Sequence, residues 1–229
     1  MLNDVDMKRL IIGSLFFALL GFGALKLMFS GVEVKYKAAL PWQVSTKADG
    51  TTHILGVDIG DTTFKELMFK LKLLAEPALF EGPDGDLTLE AYFGKKKFGV
   101  LEARLVVELD ADEVLLKKML KEQIDKDSTP SNHWKYGLSV ENTKLANDLR
   151  VWRLIYLPIT DYEPAQMKFF GEPDEKIQVS ETAQYWLYPN RGMVLLWDTD
   201  GKEIFYYVAN KDFDRLKKSL PMEAQVQRY

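Results

Sequence analysis

Residues 169–208 read FFGEPDEKIQVSETAQYWLYPNRGMVLLWDTDGKEIFYYV, and this stretch decides the fold. Two short sequences, NRG at 190–192 and DTDG at 198–201, separate runs that are rich in aromatic and branched apolar residues. Glycine, asparagine and aspartate provide the backbone angles of tight turns, and each run has the length of a β-strand. The stretch therefore predicts the strands TAQYWLYP, MVLLWD and EIFYYV, joined as antiparallel hairpins.

The same order of elements occurs twice along the chain. Residues 52–77 and 150–173 each predict a strand followed by an amphipathic helix and a break that ends in proline. Predicted strands follow both segments, and each copy closes on a helix, at 110–123 and 210–220, with Asp or Asn near its start and Lys near its end. A duplicated strand-helix-hairpin-helix unit is the most economical account of this order.

Two local signals refine the first copy. Thr63 and Glu66 have the spacing of a capping box, in which each side chain bonds the backbone N–H of the other residue, and Asp61 is an alternative cap. Gly94 and the lysines at 95–97 predict the turn between two strands, LTLEAYF and FGVLEARLVVEL.

The segment at 10–29 predicts a transmembrane helix. It is apolar except for Ser14 and Lys26, and about 20 residues at about 1.5 Å each cross a hydrocarbon layer of about 30 Å. Lys26 lies within one turn of the end, so its stem carries the ammonium group to the headgroups. A cleaved signal peptide is the alternative, but no small-x-small cleavage site follows the run. Ser14, Ala18 and Gly21 share one helical face and are candidates for packing against another span.

Basic residues on both sides of the predicted span bear on its orientation. Lys8 and Arg9 precede the span and favour a cytoplasmic N-terminus, whereas Lys26, Lys35 and Lys37 follow it and oppose that orientation. Because large domains translocate largely regardless of charge, we expect a cytoplasmic N-terminus with the C-terminal module across the membrane. A module that stays in the cytoplasm is the alternative.

These patterns define the predicted domain organisation. The segments are a short N-terminal tail at 1–9, a transmembrane helix at 10–29, a juxtamembrane linker at 30–48, a first α/β repeat at 49–122, a connecting segment at 123–147, a second α/β repeat at 148–220 and a polar tail at 221–229. The predicted fold class is α+β: an N-terminal transmembrane helix followed by two tandem α/β repeats, each with helices packed on an antiparallel sheet.

The second repeat resembles a known family. From residue 159 to residue 208, a helix, a Gly-x-Pro break, a Tyr-bearing strand, a turn, an apolar strand ending in Asp-x-Asp-Gly and a final strand follow in the order of the SmpA/OmlA (BamE-like) envelope proteins. Gly171, Pro173, Tyr185 and Gly201 carry the likeness. The duplicated version is similar to the tandem fold of beta-lactamase inhibitory proteins. The resemblance implies a noncatalytic envelope module that binds other proteins or supports assembly of a membrane complex.

The chain departs from that family in its anchor. The family's lipoproteins hang from an acylated cysteine in the outer membrane, whereas this chain has no cysteine and carries the predicted span instead. The resemblance and the span together imply a single-pass protein of the bacterial inner (plasma) membrane with a periplasmic module.

Composition excludes several classes of function. The formal net charge is -4, and nucleic-acid binding needs a basic face, so no nucleic-acid partner is predicted. The absence of cysteine removes disulfides, thiolate catalysis and zinc-thiolate sites. His53 and His133 are far apart and lack a second ligand at helical spacing, so no metal is predicted. No cofactor is predicted either, because the chain has no phosphate-binding glycine loop and no dinucleotide fingerprint.

Two groups of acidic residues come closest to a chemical site. Asp198 and Asp200 resemble part of a calcium loop, but the remaining acidic ligands are missing and a hairpin turn explains the pair. Asp58 and Asp61, with His53 nearby, have the composition of an acid–base set, yet no nucleophile or oxyanion donor accompanies them. We therefore predict that the protein is not an enzyme.

Aromatic residues provide the candidate protein-binding residues. Side chains alternate between the two faces of a strand, and this alternation places Tyr185, Trp197 and Tyr206 together on the free face of an antiparallel sheet. Core packing is the alternative and accounts for at least half of these aromatics. Trp134 lies in a polar loop that is either a contact segment or a connector.

The predicted function is a membrane-anchored, noncatalytic protein-binding module that scaffolds, assembles or regulates a membrane-protein complex in the bacterial envelope. Its predicted partners are other membrane proteins or subunits of such a complex, and the lipid bilayer through the N-terminal helix. The alternative is a membrane-tethered ligand-binding protein or enzyme with a site at the interface of the two repeats.

Overall fold

A computed structural model of the protein describes residues 40–130 and 132–221. The strands are β1 (Ser45–Thr46), β2 (Thr52–Ile54), β3 (Val57–Ile59), β4 (Pro77–Glu81), β5 (Leu87–Phe98), β6 (Leu101–Leu109), β7 (Asp125–Ser128), β8 (Trp134–Gly137), β9 (Val151–Pro158), β10 (Glu175–Gln178), β11 (Ala183–Tyr188), β12 (Met193–Asp198) and β13 (Ile204–Val208). The α-helices are α1 (Phe64–Leu71), α2 (Glu113–Lys121), α3 (Val140–Asp148), α4 (Pro164–Met167) and α5 (Phe213–Ser219). Short 3-10 helices are η1 (Lys168–Phe170), η2 (Pro189–Arg191) and η3 (Asn210–Asp212).

Most of the strands belong to one large sheet. Ten strands pair in the order β10-β11-β12-β13-β9-β6-β5-β4-β8-β7, and β1, β2 and β3 form a separate three-stranded sheet. Every pairing in the large sheet is antiparallel. Strands β4 to β6 and β10 to β13 are meanders of chain neighbours, whereas β9 inserts between β13 and β6.

The pairing of β6 with β9 joins the two halves of the chain. Val106 of β6 lies opposite Ile155 of β9, and the ladder runs along nearly the full length of both strands. Both strands are buried over most of their length, so each needs a hydrogen-bonded neighbour on both sides and apolar cover on both faces. The predicted fold class is therefore wrong in giving each repeat its own sheet, because strands from 49–122 and 148–220 share one.

The predicted connecting segment is also structured. Residues 123–147 contain β7, β8 and most of α3. Leu79 of β4 pairs with Tyr136 of β8, so this segment extends the large sheet at one end.

Three predictions that rest on neighbouring residues are confirmed, two hairpin turns and one capping box. The turns at 190–192 and 198–201 connect β11 to β12 and β12 to β13 as antiparallel hairpins. At the start of α1, the backbone N–H of Glu66 donates to Thr63 Oγ1 at 3.3 Å, and the N–H of Thr63 donates to the Glu66 carboxylate at 2.9 Å. Thr63, not Asp61, is thus the cap, and the capping box forms.

The predicted turn at residues 95–97 is wrong. Strand β5 continues through these lysines to Phe98. A β-bulge at Gly94, whose φ is +67°, lets the strand bend while it stays paired with β6. Lys96 donates to the carbonyl oxygen of Leu71 at 2.6 Å, so its charge satisfies the C-terminal end of α1.

The large sheet buries apolar side chains on both faces. The first face packs against the three-stranded sheet and α1, and its core also takes residues from α2, α3, α4 and η1. The second face packs against α5. Large buried side chains on the first-face side include Phe64, Tyr156, Phe170, Tyr188, Phe205 and Tyr207. The second-face core contains Trp152, Ile155, Tyr185, Val194, Tyr206, Phe213 and Leu216.

Three tyrosines bring hydroxyl groups into the first-face core. Tyr207 donates to the carbonyl oxygen of Pro41 at 2.7 Å, and the hydroxyls of Tyr156 and Tyr162 lie 3.1 Å apart. Burial raises the pKa of each of these three phenols. The hydroxyls therefore stay neutral, and the Tyr207 bond ties residue 41 to the sheet.

The described helices are too short to cross a membrane. The longest of them, α2 and α3, have nine residues each, which is about 14 Å of helix against about 30 Å of hydrocarbon. No helix in the described part of the chain is both long enough and apolar enough to span a bilayer. The predicted helix at 10–29, with Ser14, Ala18 and Gly21, lies outside the described residues. The finding that no described helix can span a bilayer corrects two predictions. These are the transmembrane helix of the fold class and the single-pass inner-membrane localisation with a periplasmic module.

Gly192 lies where β13 meets the three-stranded sheet, and it allows a sharp test of this packing. A Cβ atom there would lie 2.3 Å from the carbonyl oxygen of Val208 and 2.7 Å from Oγ1 of Thr52, and the φ of Gly192 is +60°. We expect Gly192→Ala to lower the free energy of unfolding by about 3 kcal/mol or more, from steric overlap added to backbone strain. Gly85→Ala is the control, because Gly85 also has a positive φ of +80° but no atom within 4 Å of its added Cβ. Urea unfolding of both variants checks this, and equal losses would contradict it.

The buried hydroxyl of Tyr207 gives a second test. Tyr207→Phe leaves the carbonyl oxygen of Pro41 without its donor, so we expect the free energy of unfolding to fall by about 1–3 kcal/mol. Tyr92→Phe is the matched control: Tyr92 is 51% exposed, and its variant should stay within about 0.5 kcal/mol of the wild type. Denaturant unfolding of the two variants decides the comparison, and a Tyr207 loss no larger than the Tyr92 loss would refute the structural role of the bond.

Candidate functional site

The structure separates the residues predicted to bind a partner. Tyr185 and Tyr206 lie on the second face and are 2% and 8% exposed. Trp197 lies on the first face and is half-buried. In the ladder Tyr185 is opposite Leu196, so the next residue, Trp197, points to the other face. The prediction that these three residues share one face of the sheet was wrong. It assumed a strand register, and only the folded hairpin fixes that register.

Trp197 stacks on Trp186, which the sequence analysis did not single out. The two rings have centroids 5.9 Å apart and an interplanar angle of 28°, an offset stacked arrangement. Nζ of Lys176, on β10, lies 4.5 Å from the centroid of the Trp186 ring, within cation–π range. Gln184 lies opposite Trp197 on the same face. We call Lys176, Gln184, Trp186 and Trp197 the tryptophan surface.

The tryptophan surface lies at one edge of the sheet. Within the described residues β10 pairs with β11 and with no second strand. Lys176 is exposed, whereas Gln184, Trp186 and Trp197 are half-buried. Both tryptophans pack against the margin of the first-face core. The rings are therefore held from beneath and remain open to solvent on the other side.

The charges of β10 are unequally compensated. The carboxylate of Glu175 lies 2.6 Å from Nζ of Lys217 on α5. No carboxylate among the described residues lies within ion-pair distance of Lys176. Within the described part of the chain, the exposed edge of β10 therefore carries one cation without a partner charge.

A second aromatic pair lies on the first face. Phe169 of η1 is 59% exposed and stacks on Trp42, with ring centroids 5.0 Å apart. The next residue, Phe170, is buried and stacks on Phe205 of β13 at 5.0 Å. This packing fixes η1 on the sheet and leaves the outer face of Phe169 in solvent.

Trp134 lies at the opposite end of the large sheet. It belongs to β8, beside the edge strand β7, and is 44% exposed. Nζ of Lys126 on β7 lies 4.0 Å from the centroid of its ring. Burial, with a hydrogen bond that Tyr136 donates to the Glu81 carboxylate, raises the pKa of Tyr136 to about 12. Trp134 thus has its own lysine partner and does not join Trp197.

Asp58 accepts two hydrogen bonds in the three-stranded sheet. Nδ1 of His53 lies 2.8 Å and Nζ of Lys47 lies 3.0 Å from its Oδ1. Burial raises the pKa of Asp58, but the bonds from His53 and Lys47 outweigh it and hold this pKa below its usual range. Asp61 is exposed, and its bond to Asp58 joins backbone groups only: the N–H of Asp61 donates to the carbonyl oxygen of Asp58 at 3.3 Å, and the Asp61 carboxylate takes no part in the bond between His53 and Asp58. The cluster therefore ties β2 to β3 and does not assemble the acid–base set weighed from the sequence.

The other acidic pair folds a turn. Oδ1 of Asp198 accepts the backbone N–H of Asp200 at 3.1 Å, which is the bond of an Asx turn. A Cβ on Gly201 would lie 2.4 Å from the Asp198 carboxylate, so a larger residue there would displace this carboxylate from its turn geometry. Within residues 40–130 and 132–221, no group of three or more His, Asp or Glu side chains is placed to hold a metal ion.

No protein-family model, curated protein or solved structure matches the chain. The likeness to the SmpA/OmlA proteins and to the tandem beta-lactamase inhibitory fold stays a prediction.

The Asp58 cluster predicts a pH dependence of stability. A carboxylate whose pKa is lowered by folding stabilises the protein above its unfolded pKa, and that stability is lost as pH falls through the folded pKa. We expect Asp58→Asn to lower the free energy of unfolding by roughly 1 kcal/mol at neutral pH. The difference from the wild type should narrow below about pH 4, where the wild type also loses the carboxylate charge. Asp84→Asn, in an exposed loop, is the control for denaturant unfolding measured across pH. A gap that stays constant with pH would rule out this role.

Proposed function

We propose that the protein is a noncatalytic protein-binding module that takes an extended, acidic segment of a partner protein along β10 and the tryptophan surface. The observation that carries this proposal is the stacked Trp186–Trp197 pair, half-buried beside a sheet edge at which Lys176 has no carboxylate partner among the described residues. Three properties of this edge support it.

The first property is the open backbone of β10. An edge strand presents a row of N–H and C=O groups that an extended segment satisfies by pairing as a further strand. β10 is held in place by its pairing with β11 from Glu175 to Gln178, so the edge is preformed. A partner segment then gains main-chain hydrogen bonds without reorganising the sheet.

The second property is aromatic area at fixed geometry. Exposed tryptophan is enriched among residues that dominate binding energy, because it buries a large area with few rotatable bonds. Trp186 is opposite Lys176 in the β10–β11 ladder, so both project on the first face next to the open edge. An apolar side chain of an added strand would therefore lie near Lys176 and the Trp186 ring.

The third property is charge, which selects the partner. Glu175 is neutralised by Lys217, whereas Lys176 has no carboxylate partner among the described residues. Charged side chains on an edge strand disfavour indiscriminate pairing with apolar strands. A carboxylate on the incoming segment pairs with Lys176, so that the lysine attracts this segment where it would disfavour an apolar one. Acidic segments are therefore favoured.

The other edge of the sheet differs in this respect. On β7 the exposed Lys126 is flanked along the strand by Asp125 and Asp127. The local charge at that edge is therefore acidic, and an acidic segment is repelled there. The family resemblance, which implies noncatalytic protein binding, agrees with the proposal but does not specify an edge.

A selection with displayed peptides tests the proposal. A library of random peptides is enriched on the purified wild-type protein, and the enriched peptides are resynthesised for affinity measurement. We expect them to carry an acidic and an apolar residue two positions apart, so that both side chains project on the first face of the sheet. Lys176→Glu should weaken their binding by roughly tenfold or more, because an attraction becomes a repulsion.

Lys126→Glu is the matched control, since it also reverses an edge-strand lysine that lies over a tryptophan. It should leave the affinity of the same peptides within about twofold. The proposal fails if no peptide is enriched, if the enriched peptides lack acidic residues, or if Lys126→Glu weakens their binding as much as Lys176→Glu does.

A further inference from the structure

A cleft opens where the two halves of the chain join. It has a volume of about 110 Å³ and lies at the end of β6 and the start of β9, between β3 and η3. Its lining includes Gly60, Asp110, Arg150, Trp152, Lys211 and Asp212. We call it the junction cleft. It is separate from the tryptophan surface, which extends over β10, β11 and β12 and so lies two to four strands away from β9 in the sheet order.

The rear of the junction cleft is rigid. Trp152 is 3% exposed and lies between two guanidinium groups, with Arg215 at 3.9 Å and Arg153 at 4.9 Å from its ring centroid. Arg153 forms a buried ion pair with Glu108 on β6. These contacts hold the wall in one arrangement, which is what a binding site needs from its supporting residues.

The cationic side chains at the cleft use only part of their capacity to donate hydrogen bonds. Asp110 is shared between two arginines, with Arg150 at 3.2 Å from Oδ2 and Arg215 at 2.8 Å from Oδ1. Both of its oxygens are thus engaged, while Arg150 uses one amino group and is half-exposed. Lys211 is exposed and forms no ion pair with any described residue. Arg150 and Lys211 therefore present free N–H donors at the cleft.

The size of the cleft restricts what it accepts. A cavity of about 150 Å³ holds benzene, with its six carbon atoms. The junction cleft, at about 110 Å³, thus admits a group of about four or five non-hydrogen atoms by the same scale. A carboxylate, sulfate or phosphate group has this size, and a whole nucleotide does not.

Asp212 distinguishes among these anions. Its carboxylate lines the cleft and, unlike Asp110, has no cation within ion-pair distance among the described residues. A carboxylate accepts hydrogen bonds and donates none, so it repels a fully deprotonated anion. Phosphate near neutral pH retains a P–OH donor that Asp212 accepts, whereas sulfate and acetate carry no such donor.

We propose that the junction cleft binds a protonated phosphate group, held by Arg150 and Lys211 and selected by Asp212. Guanidinium supplies paired N–H donors that match the geometry of phosphate oxygens, and the lysine adds a compact positive charge. Because the cleft is open to solvent, the group arrives as inorganic phosphate or as the end of a phosphate monoester in its monoanionic form, which keeps a P–OH group only below its second pKa of about 6. The two sources are therefore compared near pH 6, where a large share of both carries a P–OH group. This site neither requires the proposed acidic-segment function nor overlaps with it.

An NMR titration of the whole chain tests this site. The probes are inorganic phosphate, O-phosphoserine, sulfate and acetate at matched ionic strength, and the signals followed are the backbone amide of Gly60 and the indole N–H of Trp152. We expect saturable shifts with phosphate in the millimolar range and at least severalfold weaker binding of sulfate and acetate. Tighter binding of O-phosphoserine identifies a monoester as the ligand, and tighter binding of inorganic phosphate identifies the free ion.

Variants separate this site from a general salt effect. Lys211→Met should weaken phosphate binding by roughly tenfold, whereas Lys218→Met, an exposed lysine on α5, should leave it unchanged. Asp212→Asn should abolish the preference for phosphate over sulfate while binding of both anions persists. The proposal is overturned if the cleft signals do not saturate with phosphate, if sulfate binds as tightly, or if Lys211→Met binds phosphate like the wild type.

Discussion

The backbone ladder between β6 and β9 is the constraint on which the rest of the structure depends. It makes one sheet from strands that lie far apart in the sequence, and it places Arg153 opposite Glu108 on the second face. Burial raises the pKa of Glu108, although Arg153 opposes this effect, and Glu90 on the next strand adds repulsion. The ion pair of Arg153 with Glu108 thus lies in the interior beside a second carboxylate, an arrangement that tolerates loss of the arginine poorly.

The irregular end of this ladder also builds the junction cleft. A bulge between Glu108 and Leu109 shifts the register, so that Leu109 lies opposite Val151 and Trp152 is left without a direct partner. Trp152 then turns into the second-face core, and Arg215 of α5 stacks on it. The cleft is therefore a consequence of how the halves join, and its wall is as stable as the centre of the sheet.

The two proposed sites have different structural origins. The tryptophan surface arises at an edge, where β10 lacks a second neighbour among the described residues and where Lys176 lacks a counter-charge. An edge strand either pairs with a strand of another protein or prevents such pairing, and the charges of its side chains decide which of the two occurs. The junction cleft arises at the centre, where Asp110 draws two arginines together. Occupancy of one site can therefore be measured without disturbing the other.

The sequence by itself determined the features that depend on adjacent residues. The hairpin turns at 190–192 and 198–201 and the Thr63–Glu66 capping box follow from local backbone preferences, and the structure contains them. Only the tertiary structure decided the pairing of β6 with β9 and the extension of β5 through the lysines at 95–97. It also placed Tyr185 in the second-face core and the next residue, Trp186, half-buried on the first face. Each depends on strand register, and a shift of one residue exchanges the faces of a strand without changing its local pattern. Only the long-range pairing of the strands fixes that register. The residues of the candidate site could therefore not be identified from the local sequence pattern.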